Sequence, residues 1–210
     1  MQRYHLCAIA VLGASIAACQ NNNPSSGTTT DSIAAAKQTV VADSLLHNAN
    51  AHSREIVTST GKIVVLETAN PRGASLTDIT VYFKHDTTTK LTYTDKDPVN
   101  SFFATDLDGN GFDEVYVITT AAGSGSYGNV CAFSSNKDLS FSFVYLPELE
   151  EADLNPGKPF HGYEGHDVFK VEGNKLVRSF RVSEGDQKSN RSIRYQLKKG
   201  EAGLMLVAEK

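Results

Sequence analysis

From Lys62 onward, apolar and polar residues follow one another in short runs of about strand length, separated by turn-forming residues. KIVVLET, LTDITVYFK and KLTYTD come first. SFFATDL and DEVYVITT flank the acidic stretch DGNG. NVCAFSS, SFSFVYLP, HDVFKVEG, KLVRSFRVS, RSIRYQLK and LMLVAEK complete the series. Within KLVRSFRVS, alternate positions Leu176, Arg178, Phe180 and Val182 form one series, while Val177 and Arg181 belong to the other. Gly173-Asn174 stands between two such runs, and Gly200 to Gly203 between two more, which marks both as hairpin turns. No helical pattern alternates with the strands, so a parallel sheet is not expected. No repeat of propeller length is present. Residues 62–210 therefore predict an all-β domain, an antiparallel sandwich or barrel of about 8–10 strands.

Before Lys62 the texture differs. Residues 31–48, DSIAAAKQTVVADSLLHN, hold the one helix candidate: Asp31 or Ser32 can cap it, and Ile33, Val40, Val41 and Leu45 fall loosely on one face. Residues 32–61 are thus read as a short N-terminal helix and linker. Residues 1–18 combine Arg3, the apolar run LCAIAVLGASIAA and a small-residue end, the layout of a secretory signal peptide. The run is too short to span a membrane as a helix. Ile16-Ala17-Ala18-Cys19 resembles a bacterial lipobox, which implies that Cys19 carries lipid and becomes the first mature residue. An acylated cysteine ties a chain to a membrane surface without crossing it. Residues 19–31 are then the lipidated cysteine and a tether, since QNNNPSSGTTTD is too polar to pack. Gln20 follows Cys19, and by resemblance to Gram-negative lipoproteins this points to the outer membrane, facing the periplasm.

Charge and cysteines narrow the partners. The full chain carries 20 basic and 24 acidic residues. Loss of residues 1–18 removes only Arg3, leaving 19 basic against 24 acidic and a net charge of −5. No basic patch recommends nucleic acid. With Cys7 removed and Cys19 lipidated, Cys131 alone remains, so the mature domain forms no internal disulfide. Its setting in NVCAF suits a buried small hydrophobe better than a reactive thiol.

Four constellations could carry chemistry. In DLDGNGFDEVYV, Asp106, Asp108, Asn110 and Glu114 place oxygens at alternate positions around Gly111, a pattern suited to calcium. The position where a full EF-hand needs glutamate is Val117, and a plain turn with self-capping Asp and Asn is the preferred reading. In HGYEGH, His161, Glu164 and His166 match no zinc spacing, and solvated histidines are preferred. Ser126 sits in a near miss of G-x-S-x-G, but the following NVCAFSS is a strand where a nucleophile elbow needs a helix. A hydrolase using Ser126 or Cys131 is accordingly a distant alternative. Lastly, TTAAGSGSYGNV sets Tyr127 on a loop thinned by Gly123, Gly125 and Gly128, with Ser124 and Ser126 beside it. Tyrosine is a frequent interface anchor, giving area and a hydroxyl at little rotamer cost. On residue types alone, an interface tip and a tip folded back on its sheet stand level.

DLDGNGFDEVYVITTAAGSGSYGNVCAFSSN, followed by GYEGHDVFKVEGNKLVRSF and RSIRYQLKKGEAGLML, resembles the periplasmic inhibitors of i-type (invertebrate) lysozymes. The likeness spans roughly residues 62–206. The resemblance implies an antiparallel β-sandwich and a protein that binds and does not catalyse. It also implies that a loop of the form S-G-x-Y, here Ser124-Gly125-Ser126-Tyr127, enters the lysozyme cleft, with Ser124 and Tyr127 on the catalytic region. Tyr163 and His166 would be rim contacts. Lysozyme is the implied partner, the membrane is reached only through the lipid, and a homodimer is compatible with the sequence. No cofactor is implied, calcium being the one candidate ion. The alternative is a calcium-stabilised envelope module that binds peptidoglycan or an envelope protein.

Overall fold

The computed structural model describes residues 52–209. The stretches read as signal peptide, lipobox with Cys19, tether and helix candidate over 31–48 lie outside the described residues. The described chain forms twelve strands: β1 (His52–Val57), β2 (Ile63–Ala69), β3 (Thr77–Phe83), β4 (Leu91–Lys96), β5 (Val99–Thr105), β6 (Glu114–Thr120), β7 (Gly128–Ser135), β8 (Phe141–Val144), β9 (Val168–Glu172), β10 (Lys175–Glu184), β11 (Gln187–Lys199) and β12 (Leu204–Ala208). They make three four-stranded antiparallel sheets, ordered β1-β2-β3-β4, β5-β6-β7-β8 and β12-β11-β10-β9. The all-β antiparallel sandwich expected from the sequence is what forms. It has more strands than the 8–10 expected, and one of them, β1, lies in the stretch read as linker. That strand reads HSREIV, mostly exposed, and only one edge of it pairs, with β2. It lacks the apolar alternation that marks the others.

The middle sheet is covered on both faces. In β6, Val115 and Val117 pack with Val64, Leu66, Ile79, Val81 and Phe83 of the first sheet. Tyr116 and Ile118 point the other way, into a core with Leu176, Phe180, Val182, Ile193 and Leu206 of the third. β7 divides in step: Cys131 and Phe133 join the first cluster, Val130 and Ala132 the second. The register enforces this, pairing Val117 with Cys131 and Tyr116 with Ala132. Side chains alternate faces along a strand, so a strand buried on both sides must be apolar at every position. Val115 to Ile118 meet that demand, and six of the seven residues of the strand are buried, the polar Glu114 and Thr119 towards its two ends among them. The middle and third sheets are also stitched at one edge, where the Tyr145 N–H donates to the Leu204 carbonyl and the Leu206 N–H to the Tyr145 carbonyl.

Both expected hairpins form. Glu172 pairs with Lys175 across Gly173-Asn174, with Gly173 at φ +60°, and the Gly200 N–H donates to the Gly203 carbonyl. The turn after β1 is pinned to the middle sheet by buried carboxylates. Asp113 accepts the N–H and the hydroxyl of Ser59, each at 2.7 Å, and Asp138 accepts the hydroxyl of Thr60 at 2.6 Å. Cys131 is buried at 3 % exposure, and burial pushes its thiol up to about 11. A thiol reagent is therefore expected to leave the native protein unlabelled at Cys131 and to label it fully in denaturant, checked by mass spectrometry. Rapid labelling of the folded chain at that residue would contradict the burial.

Candidate functional site

The loop between β6 and β7 begins where Thr120 leaves the middle sheet. It closes on itself twice: the Ser126 N–H donates to the Gly123 carbonyl at 3.0 Å, and the Ala121 N–H to the Tyr127 carbonyl at 2.8 Å. Ser124 lies exposed at the tip. Ser126 takes a left-handed backbone, φ +44°. Among the described residues, no side chain or carbonyl accepts a hydrogen bond from the hydroxyls of Ser124, Ser126 or Tyr127. Tyr127 is 49 % exposed.

The Tyr127 ring does not stand free of the protein. It lies between two glycines. A Cβ on Gly125 would come within 2.4 Å of the ring, and one on Gly165 within 2.8 Å of it and 2.2 Å of the Gly125 carbonyl. Glycine is required at both positions by this close approach, and Gly165 also needs it for its φ of +78°. A third neighbour, Tyr163, is inclined to the ring at a centroid distance of 5.6 Å. The result is an aromatic with one part held against a backbone platform and the other presented to solvent.

The platform is the segment Gly162–His166, and it is braced in turn. β9 pairs β10 only as far as Ser179. Beyond that point the segment takes over the free edge of β10. The Glu164 N–H donates to the Arg181 carbonyl, the Arg181 N–H to Gly165, and the Ser183 N–H to Gly162, all between 2.7 and 2.8 Å. The His166 N–H then hooks the Gly125 carbonyl at 2.7 Å. The two loops that the sequence reading kept apart, as main contact and rim, are one unit.

Beneath them lies a buried ion pair. Arg178 Nε donates to Asp167 Oδ1 at 2.7 Å, with the Asp167 side chain wholly buried and that of Arg178 10 % exposed. Arg178 Nη2 donates to the Tyr163 hydroxyl at 2.8 Å, and that hydroxyl donates to Asp167 Oδ2 at 2.5 Å. Asp167 Oδ2 also accepts the N–H of Gly128, the first residue of β7, at 2.8 Å. The guanidinium is surrounded by the rings of Phe160, Tyr163, Phe169 and Phe180, with ring centroids 5.0 to 5.9 Å away. Burial, together with the hydrogen bond to Asp167, drives the Tyr163 phenol far above its ordinary range. Gly128 must be glycine here, because a Cβ would sit 2.7 Å from that of Asp167. Tyr163, expected at the rim, thus turns its hydroxyl inward as a support for the loop, while His166 contributes its backbone N–H.

Sequence reasoning did not single out Asp167 and Arg178. One signal was present: Arg178 occupies the apolar series Leu176, Phe180, Val182, whose other members are core residues. A charged residue on a buried strand face needs a buried partner, but nothing in the spacing names Asp167. Of the remaining candidates, His161 Nδ1 lies 3.0 Å from the Leu154 carbonyl and Glu164 lies 3.6 Å from Lys188. The segment after Ser126 runs into strand β7, as the sequence indicated.

Asp106, Asp108 and Glu114 do come together, each offering an oxygen within 4.8 Å of the others. Asp106 accepts the N–H groups of Gly109, Asn110 and Gly111, Asp108 that of Asn110, and Asn110 that of Phe112. The capped turn read from the sequence is therefore present. Glu114 departs from it: the residue is completely buried, and only Oε2 is satisfied, by the Leu107 N–H at 2.8 Å. Burial, against that one hydrogen bond, raises its carboxyl to about 7.

No protein-family model, no curated protein and no solved structure matches this chain.

Proposed function

We propose that the domain is an inhibitor of a lysozyme, of the i-type by the resemblance of its motifs, and that the loop Ser124–Tyr127 is the part that enters the enzyme's cleft. One observation carries the reading: a half-exposed tyrosine and an exposed serine, with their hydroxyls unclaimed, stand on a loop that is stiffened from below by a buried ion pair. Binding groups on a fixed frame lose less entropy on association than groups on a floppy one.

The chemistry suits the target. A retaining glycosidase exposes two carboxyl groups roughly 5 Å apart in an open groove shaped for a sugar chain. A narrow loop made of glycine and serine can reach such a groove where a bulky one would clash. Hydroxyl donors facing a carboxylate contribute about 1.5–3 kcal/mol each, and a tyrosine ring adds apolar area at the centre of the contact. A net negative charge favours encounter with a basic enzyme. A lipid at Cys19, with the polar tether after it, would hold the domain in the cell envelope beside the peptidoglycan that lysozyme attacks. On this reading the protein acts by occupying a site and is not itself an enzyme.

The test is a lytic assay of the purified protein against c-, g- and i-type lysozymes. Dose-dependent inhibition of the i-type enzyme at near-stoichiometric ratios, with the other two classes less affected, is the expected result. A folded preparation that slows none of the three would refute the reading.

A further inference from the structure

We propose that the turn between β5 and β6 is a calcium site, with Asp106, Asp108 and Glu114 as its carboxylate ligands and Asn110 supplying a neutral oxygen. This inference stands apart from the inhibitor reading and concerns the other end of β6.

Two independent observations support it. The first is the cluster itself: three carboxylates from one turn and the strand after it converge to within 4.8 Å. Among the described residues none of the three is paired with a lysine, arginine or histidine. Like charges at that distance repel unless a cation lies among them. The second is the unmet oxygen. Glu114 is 0 % exposed, and its Oε1 has no hydrogen-bond partner. A buried acceptor to which no protein group donates is costly, more so when it carries charge. Asp106 Oδ1 accepts two N–H groups, but its Oδ2 accepts only that of Gly111, and Asn110 Oδ1 only that of Phe112, so each of these two keeps a lone pair and the capped turn and a bound ion are compatible.

The donor set selects the ion. All the candidate ligands are oxygens, which suits a hard cation and disfavours zinc or copper. Calcium takes six to eight oxygens in irregular geometry, with water filling what the protein does not. Magnesium demands a tight octahedron, which a turn whose oxygens already serve backbone N–H groups does not provide. The ion would tie the β5–β6 turn to the first residue of β6, in the sheet buried on both faces. The Tyr127 loop lies at the opposite end of the same seven-residue strand, about 20 Å away. Calcium would therefore stabilise the frame without touching the binding loop.

Titration of calcium chloride into the chelator-treated full chain, by calorimetry and by thermal melting, decides the matter. The expected result is a single binding isotherm and an upward melting shift of roughly 5–10 °C at a hundredfold excess over Kd. Asp108→Asn keeps the acceptor for the Asn110 N–H at an exposed position, so it should fold normally and bind calcium about tenfold or more weakly. The proposal is overturned by any of three results: no heat and no shift at about 10 mM calcium, well above the Kd of weak extracellular sites; an equal shift with magnesium; or an Asp108→Asn variant that binds as tightly as the parent.

Discussion

Replacing Arg178 with methionine is expected to lower the stability of the domain by about 3–5 kcal/mol, a fall in melting temperature of roughly 10 °C. Methionine keeps much of the volume among the four surrounding rings, so the loss is chiefly electrostatic. It strands the Asp167 carboxylate, whose side chain has no solvent exposure, with only the Gly128 N–H and the Tyr163 hydroxyl as donors. A buried charge that loses its counterion is far costlier than a buried pair is beneficial. That asymmetry supplies the control. Asp167→Asn combined with Arg178→Met removes both charges and retains an acceptor for Gly128, so the double variant should be more stable than Arg178→Met alone. Chemical denaturation of the three proteins measures this. The Gly128 amide, whose acceptor is Asp167, should also exchange faster with solvent in Arg178→Met, because the ion pair holds the start of β7 and the platform under Tyr127 together. A cost below about 1 kcal/mol, with exchange unchanged, would mean that the pair is not the clamp of the loop.

Which parts of this arrangement the sequence announces depends on how local their causes are. Hairpin turns are local: Gly173-Asn174 declares itself by residue type, and the pairing of Glu172 with Lys175 follows. The burial of β6 is nearly so, since Val115 to Ile118 are apolar at the successive positions where a half-exposed strand would alternate. That run signals two covered faces, and hence a third sheet, more strongly than the expectation of a simple sandwich allows. β1 is the opposite case. HSREIV pairs along one edge and hides little, so its backbone bonds hold it, and backbone bonds leave no trace in side-chain pattern. The candidate site divides in the same way. The exposed Tyr127 and the glycines around it are readable from one dozen residues. Its foundation is not: Gly128, Tyr163, Asp167 and Arg178 come from three stretches of chain and meet only through the pairing of the sheets.

Ser124→Ala with Tyr127→Ala should abolish inhibition while leaving the fold in place. On the proposed reading the tyrosine is the aromatic anchor, and truncation of such a residue at the centre of an interface costs about 2–4 kcal/mol. The serine hydroxyl, if it meets a carboxylate, adds about 1.5 kcal/mol or more. Together the losses correspond to a weakening of roughly three hundredfold to ten thousandfold in inhibition constant. The folded state has much less at stake. Ser124 is exposed and Tyr127 half-exposed, neither side-chain hydroxyl has a partner among the described residues, and the ring's internal contacts are Gly125, Gly165 and Tyr163. The stability change should therefore stay near 1 kcal/mol, well short of that for Arg178→Met. The pairing of the two experiments separates anchor from support. Loss of inhibition at unchanged stability is the signature of groups that touch the enzyme, whereas Arg178→Met must lose stability first and inhibition only as a consequence. Tyr127→Phe divides the anchor further, retaining ring area and removing the hydroxyl, and should fall between the parent and the double variant. If Ser124→Ala with Tyr127→Ala still inhibits as strongly as the parent, the loop is not the inhibitory element, and the contact with lysozyme must be sought on another face of the domain.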